Sequence, residues 1–145
     1  MRRESYLRDI TQMFLDDGFF LQLSDDHWTP FPDTEGRLAI RGKLGLTLPG
    51  VDCYAEMVEI QPGTIFPEHT HEYDHTIHIL QGPCLVGLGY RETLHQSGDT
   101  VYVPPHVVHR FRPVDSAITV LIVGHPQNSP GIWSRIWSWL KRWRE

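Results

Sequence analysis

The sequence predicts an all-β fold, a sandwich or barrel of short strands, with a helix at each end of the chain. Five segments rich in Val, Ile, Leu and Tyr are bounded by Gly or Pro, which is typical of strands joined by tight turns. No helical periodicity separates them, and this favours a sandwich or barrel over an alternating α/β fold. The five segments are residues 51–60, 76–80, 84–90, 100–103 and 117–123.

An amphipathic helix is predicted near the start of the chain, over residues 5–17. Ser5 can cap its first turn and Gly18 can end it. The apolar residues of the segment recur at helical spacing and are Leu7, Ile10, Met13 and Phe14.

A lead-in to the barrel follows this helix. Residues 25–50 are rich in Pro, Gly and Asp, which divide the chain into short pieces. Two short strands are predicted there, near residues 38–40 and 44–48. We therefore expect a helical lead-in over residues 1–36 and a barrel over residues 37–125.

The C-terminal unit, residues 126–145, begins with a break of sequence Pro-Gln-Asn-Ser-Pro-Gly and continues as a sharply amphipathic pattern over residues 132–145. Four of the five tryptophans of the chain lie here, at Trp133, Trp137, Trp139 and Trp143. We expect this helix to pack on its own barrel or on a partner subunit. Contact with an anionic membrane surface through residues 132–145 is the alternative.

Composition and charge narrow the function classes. The 18 acidic and 13 basic residues give a formal charge of −5, which argues against nucleic acid as the main partner. The sequence has no apolar run of about 18 residues and no leader pattern, so we expect a cytoplasmic protein. Cys53 and Cys84 form no CxxC pair, and we expect two buried free thiols.

Three closely spaced histidines lie between Gly63 and Gly82. Residues separated by an even number point to the same face of a strand, so His69 and His71 can aim at one point. A short bend would return His75 to it. Imidazoles that converge on a point indicate a metal site.

These residues resemble the first motif of the cupins, small double-stranded jelly-roll barrels. That motif runs from a glycine through two histidines and a glutamate to a second glycine. Gly63, His69, His71 and Gly82 fall in place, and His75 stands where the glutamate normally lies.

The second cupin motif is matched by Gly98, Pro104 and His109, with His106 where a glycine is usual. That glycine often needs positive φ, which histidine tolerates better than most residues, so we interpret His106 as a conformational residue. His78 is out of phase with His75 and should point away from the site.

By position, the resemblance implies His69, His71, His75 and His109 as ligands of one divalent transition metal, with Mn, Fe, Ni, Co and Zn all open. Four neutral imidazoles leave the ion its full +2 charge, which raises its Lewis acidity above that of a site with a glutamate. An octahedral ion bound by these four ligands would keep two adjacent coordination positions open. They could bind a bidentate anion, or a substrate beside dioxygen.

The resemblance therefore implies a metal-dependent oxidoreductase of dioxygenase type that acts on a small organic substrate, and a homodimer, as small cupins commonly form. The alternative is a non-enzymatic module that binds or senses a metal or small ligand, with the Trp-rich helix docking a partner. One fold hosts many chemistries, so the resemblance leaves both open.

Strand alternation predicts the walls of a substrate pocket. It places Ile77 and Ile79 on the side of His75, and Phe111 on the side of His109. A role as plain barrel core explains these three residues equally well.

Acidic residues and a tyrosine near the histidines are expected to be exposed. One residue of the strand before the first motif could hydrogen bond a ligand, and the loop carboxylates could orient an imidazole. These residues are Tyr54, Glu56, Glu59, Glu68, Glu72 and Asp74.

Overall fold

A computed structural model describes residues 3–17, 28–30, 40–44 and 54–124, which form one helix and ten strands. The elements are α1 (Arg3–Asp17), β1 (Thr29–Pro30), β2 (Ile40–Leu44), β3 (Tyr54–Ile60), β4 (Phe66–His69), β5 (His75–Gln81), β6 (Cys84–Leu88), β7 (Arg91–His95), β8 (Thr100–Val103), β9 (His109–Pro113) and β10 (Ile118–Gly124). No helix among these residues is long and apolar enough to cross a membrane.

The strands form two antiparallel sheets. One sheet has six strands in the order β1-β2-β3-β10-β5-β8, and the other has four in the order β4-β9-β6-β7. Because β4 and β9 share the smaller sheet and β5 lies in the larger one, chain segments that carry the histidines come from both sheets. The all-β prediction is confirmed for the described residues.

The main core lies between the two sheets. On β3, Val58 and Ile60 are fully buried and belong to this core. From the smaller sheet, Phe66 and Phe111 stack with ring centroids 4.4 Å apart. The core therefore extends, through these two rings, to the end of the barrel where the histidines lie.

Helix α1 covers the outer face of the larger sheet. Leu7, Ile10 and Phe14 are buried there, and they pack in one cluster with Ala55 and Met57 of β3 and with Leu121 and Val123 of β10. The Oγ1 atoms of Thr11 and Thr76 are 2.7 Å apart and tie the helix to β5. The predicted helix is confirmed, although Met13 faces outward and is 48% exposed.

Two strands, β1 and β7, were not predicted, and β4 and β9 were expected only as local strand structure around His69 and His109. Strand β7 is the clearest case, because its residues Arg91, Glu92, Thr93 and Leu94 are all exposed and carry no apolar alternation. Among the described residues of 38–48, where two short strands were predicted, the structure has the strand Ile40–Leu44, which overlaps the end of the first and the start of the second.

Several predicted features lie outside the described residues. They are the predicted helix of residues 132–145, the break before it, Cys53 and most of the lead-in. Cys84 is a free, buried cysteine, as expected.

Candidate metal centre

The four predicted ligands lie together at one end of the barrel. His69 ends β4, His75 begins β5 and His109 begins β9, while His71 lies in the β4–β5 connection. His69 and His109 are cross-strand partners in the smaller sheet. One potential ligand atom from each of the four imidazoles lies within 4.8 Å of the others.

Three of the imidazoles are oriented by backbone carbonyl groups. The Nδ1 atoms of His69 and His71 lie 2.7 Å from the carbonyl oxygens of Pro67 and Tyr73. For His109, Nδ1 lies 2.8 Å from the Val107 carbonyl oxygen. A carbonyl oxygen can only accept, so Nδ1 donates a proton in each case and the lone pair stands on Nε2.

His75 has a different environment. Its Nε2 lies 2.9 Å from Nε2 of His109, and its Nδ1 is buried with no hydrogen-bond partner among the described residues. Two ligand nitrogens that bind one ion at right angles, with bonds of about 2.0–2.1 Å, are about 2.8–3.0 Å apart. The spacing of His75 and His109 therefore fits two ligands of one divalent cation, and the other two imidazoles lie close enough to join them.

Burial keeps these imidazoles neutral. Burial and the neighbouring His109 lower the pKa of His69 from 6.5 to about 2 and that of His71 to about 4. Burial and His109 also hold the pKa of His75 well below its usual value, and burial lowers that of His109. Neutral imidazole is the form that binds metal, so the protein holds the four side chains ready for a cation.

The histidines line a small cavity of about 20 Å³ that opens to solvent. The other lining residues are Glu56, Phe66, Tyr73, Phe111 and Ile122. The ring of Tyr73 stacks on His71 with centroids 4.1 Å apart. Of the three predicted pocket residues, Phe111 lines the cavity, whereas Ile77 and Ile79 are fully buried in the core between the sheets.

Two acidic residues that were expected to be exposed are buried. Glu56 is 6% exposed because it occupies an inward position of β3, two residues before Val58. Asp74 is fully buried and accepts a hydrogen bond of 2.8 Å from the Tyr102 hydroxyl group. Both expectations were wrong, because the loop of Asp74 folds onto β8 and the second sheet covers the face of β3 that carries Glu56.

The other expected polar residues remain at the surface or partly covered. Glu68 and Glu72 are exposed, and Glu59 is partly buried. The side chain of Tyr54 is not among those that the structure describes. As predicted, His78 lies outside the group of four histidines. Its Nδ1 is hydrogen bonded to the Thr100 hydroxyl group at 2.5 Å.

His106 supports the site through its backbone. It has a φ of 65°, and its N–H donates to the carbonyl oxygen of His71 at 2.8 Å. The turn before β9 therefore holds the loop that carries His71. This geometry agrees with the conformational role predicted from the motif.

Solved structures share this architecture. KdgF from Halomonas sp. superposes with a TM-score of 0.61 at 24% identity, over 74% of this chain and 93% of that one. The cupin-2 domain protein Rru_A2000 from Rhodospirillum rubrum gives 0.57 at 22% identity, over 63% of each chain. The barrel has the cupin fold.

Sequence comparison agrees with this assignment. The family model described as Cupin domain matches residues 56–124, which run from β3 to the end of β10. An uncharacterized protein of Streptomyces coelicolor is 29% identical over 70 residues, which are 48% of this chain and 67% of that protein. The DMSP lyase DddQ from Ruegeria pomeroyi has the same cupin fold, with a TM-score of 0.59 at 18% identity over 72% of this chain and 58% of that one.

Proposed function

We propose that this cupin barrel is a metal-dependent oxidoreductase of the dioxygenase type, acting on a small organic substrate. The observation that carries the proposal is the set of four imidazoles around one point, three of which donate Nδ1–H to a backbone carbonyl oxygen and so carry their lone pair on Nε2. A bound divalent transition metal would supply Lewis acidity and open positions for substrate and dioxygen.

The protein's own residues would set the conditions for that chemistry. His69, His71, His75 and His109 contribute no negative charge, so a bound ion keeps its +2 charge. Phe66, Phe111 and Ile122 form apolar walls beside them. These walls favour an apolar or aromatic body in the substrate.

A dioxygenase reaction fits this inventory of groups. Both atoms of dioxygen enter the organic product, and the substrate itself supplies the electrons, so no separate reductant is needed. The cupin fold alone does not select this reaction, since the R. pomeroyi relative is named as a lyase. The apolar walls and the four uncharged ligands are the features that favour it.

Two measurements test the proposal. Elemental analysis of protein purified without added metal should find close to one Mn, Fe, Co or Ni per chain. Metal-loaded protein should then take up dioxygen with a member of a panel of enediols and diketones, one O₂ per substrate consumed. Closed four-coordinate zinc, or turnover of the panel without O₂ uptake, would contradict the dioxygenase assignment, and zinc would favour the non-enzymatic binding module.

Variants of His75 test the ligand set separately. His75→Ala should lower metal affinity by at least about 100-fold, which exceeds the typical loss on removing a group that only supports a ligand. His75→Glu should retain metal, because a carboxylate is also a ligand, while lowering the net charge of the site. Metal content that is the same in all three proteins would show that His75 is not a ligand.

A further inference from the structure

Glu56 is a second polar feature of the metal cavity. It lies on β3 and lines the cavity together with the histidines and Ile122. Its side chain takes the inward position that Val58 and Ile60 occupy further along the strand, and it is 6% exposed. A carboxyl group therefore stands where the pattern of the strand has apolar core residues.

This carboxyl group has no hydrogen-bond or ion-pair partner among the described residues. Its cross-strand neighbour on β10 is Ile122, whose side chain cannot pair with it. It also lies outside the group of four imidazoles whose ligand atoms are mutually close. The only fully enclosed side-chain polar atom without a partner among the described residues is Nδ1 of His75, so the Glu56 oxygens are open to the cavity, where a ligand group can reach them.

We propose that Glu56 is a specificity-determining residue, which accepts a hydrogen bond from a hydroxyl or amino group of the small organic ligand whose oxygen atoms bind the metal. This inference rests on the proposed function. The expected ligand is a small organic chelator. It binds the metal through oxygen atoms at one end, and it carries a hydrogen-bond donor at the opposite end of an apolar body. Phe66, Phe111 and Ile122, which line the same cavity, would contact that body.

The role does not depend on the protonation state of Glu56. A carboxyl group can accept a hydrogen bond in either state. Burial raises the pKa of Glu56 to about 8, so the uncharged form is favoured near neutral pH in the metal-free protein. Leucine at this position should not weaken the fold, since it would replace an unpaired buried polar group with an apolar one.

Two chelators that differ by one hydroxyl group provide the test. Kojic acid and allomaltol bind metals through the same pair of oxygens, but only kojic acid carries a hydroxymethyl group across the ring. Affinities would be measured by calorimetry on Mn²⁺-loaded full-length protein, with metal content and unfolding midpoint recorded for each variant. We expect wild type to prefer kojic acid by about tenfold, the equivalent of about 1.4 kcal/mol.

In Glu56→Leu the preference for kojic acid over allomaltol should fall below twofold, while the metal content stays that of the wild type. Glu56→Gln, whose amide oxygen still accepts a hydrogen bond, should keep at least a threefold preference. If both chelators bind and their ratio is the same in wild type and Glu56→Leu, the role of Glu56 is wrong while the open metal site stands. If neither chelator binds the Mn²⁺-loaded protein, both this inference and the proposed open coordination positions are overturned.

Discussion

The metal-free protein should lose stability steeply as pH falls from about 6.5 to 5. In the folded chain, burial lowers the pKa of His69, His71, His75 and His109 below the ordinary value of 6.5. Unfolding exposes them to water, where they titrate near that ordinary value. The unfolded chain therefore binds more protons in this pH range, and a falling pH shifts the equilibrium toward it.

The slope can be estimated from the number of protons. Each histidine that is neutral when folded and protonated when unfolded contributes about 1.4 kcal/mol per pH unit, so His69, His71 and His75, whose pKa values are lowered furthest, contribute about 4 kcal/mol per unit together. Glu56 acts in the opposite direction, because its raised pKa of about 8 means that it releases a proton on unfolding. That offset is about 1.4 kcal/mol per unit, which leaves a net loss of about 3 kcal/mol per pH unit.

Urea denaturation in EDTA at pH 7, 6 and 5 measures this slope. Glu56→Gln should make it steeper by about 1.4 kcal/mol per unit, and His71→Gln should make it shallower by the same amount. Saturating metal should raise stability at each pH, since it binds only the folded chain. A free energy of unfolding that stays level from pH 7 to 5, or a slope that neither variant changes, would refute the neutral state of the folded histidines.

Three further substitutions test the support around the site. His106→Val should be about 1–2 kcal/mol less stable than His106→Gly in urea denaturation, because a β-branched residue is strained at a φ of 65°; equal stabilities would contradict this. Phe111→Ala should lower the free energy of unfolding by about 3–5 kcal/mol by opening a cavity against Phe66, and Phe111→Leu by much less. Tyr102→Phe should lower it by about 1–3 kcal/mol by removing the donor to buried Asp74, and a neutral effect would show that this hydrogen bond is dispensable.

The strands that were predicted and those that were missed differ in their local surroundings. Strands β5 and β10 are mostly buried, so their apolar residues are visible in the sequence. Strand β7 has a single neighbour, β6, and four exposed side chains, so burial imposes no pattern on it. The edge of the smaller sheet was therefore recognisable only from its pairing.

Glu56 shows why alternation alone did not define the site. Strand β3 carries apolar residues on both faces, since α1 covers Ala55 and Met57 while the other sheet covers Val58 and Ile60. A strand buried on both sides has no unique inward face in its sequence. Whether Glu56 pointed to solvent or to the cavity was settled by the packing of the second sheet.

The sequence by itself determined the strand-rich composition, the spacing of His69, His71 and His75, and the second motif that ends at His109, because these are local patterns along the chain. Only the tertiary structure decided how they meet. Folding brings Nε2 of His75 within 2.9 Å of Nε2 of His109, which lies 34 residues away in sequence. It also places the carboxyl group of Glu56 on the wall of the same cavity, since that depends on how the two sheets pack against each other.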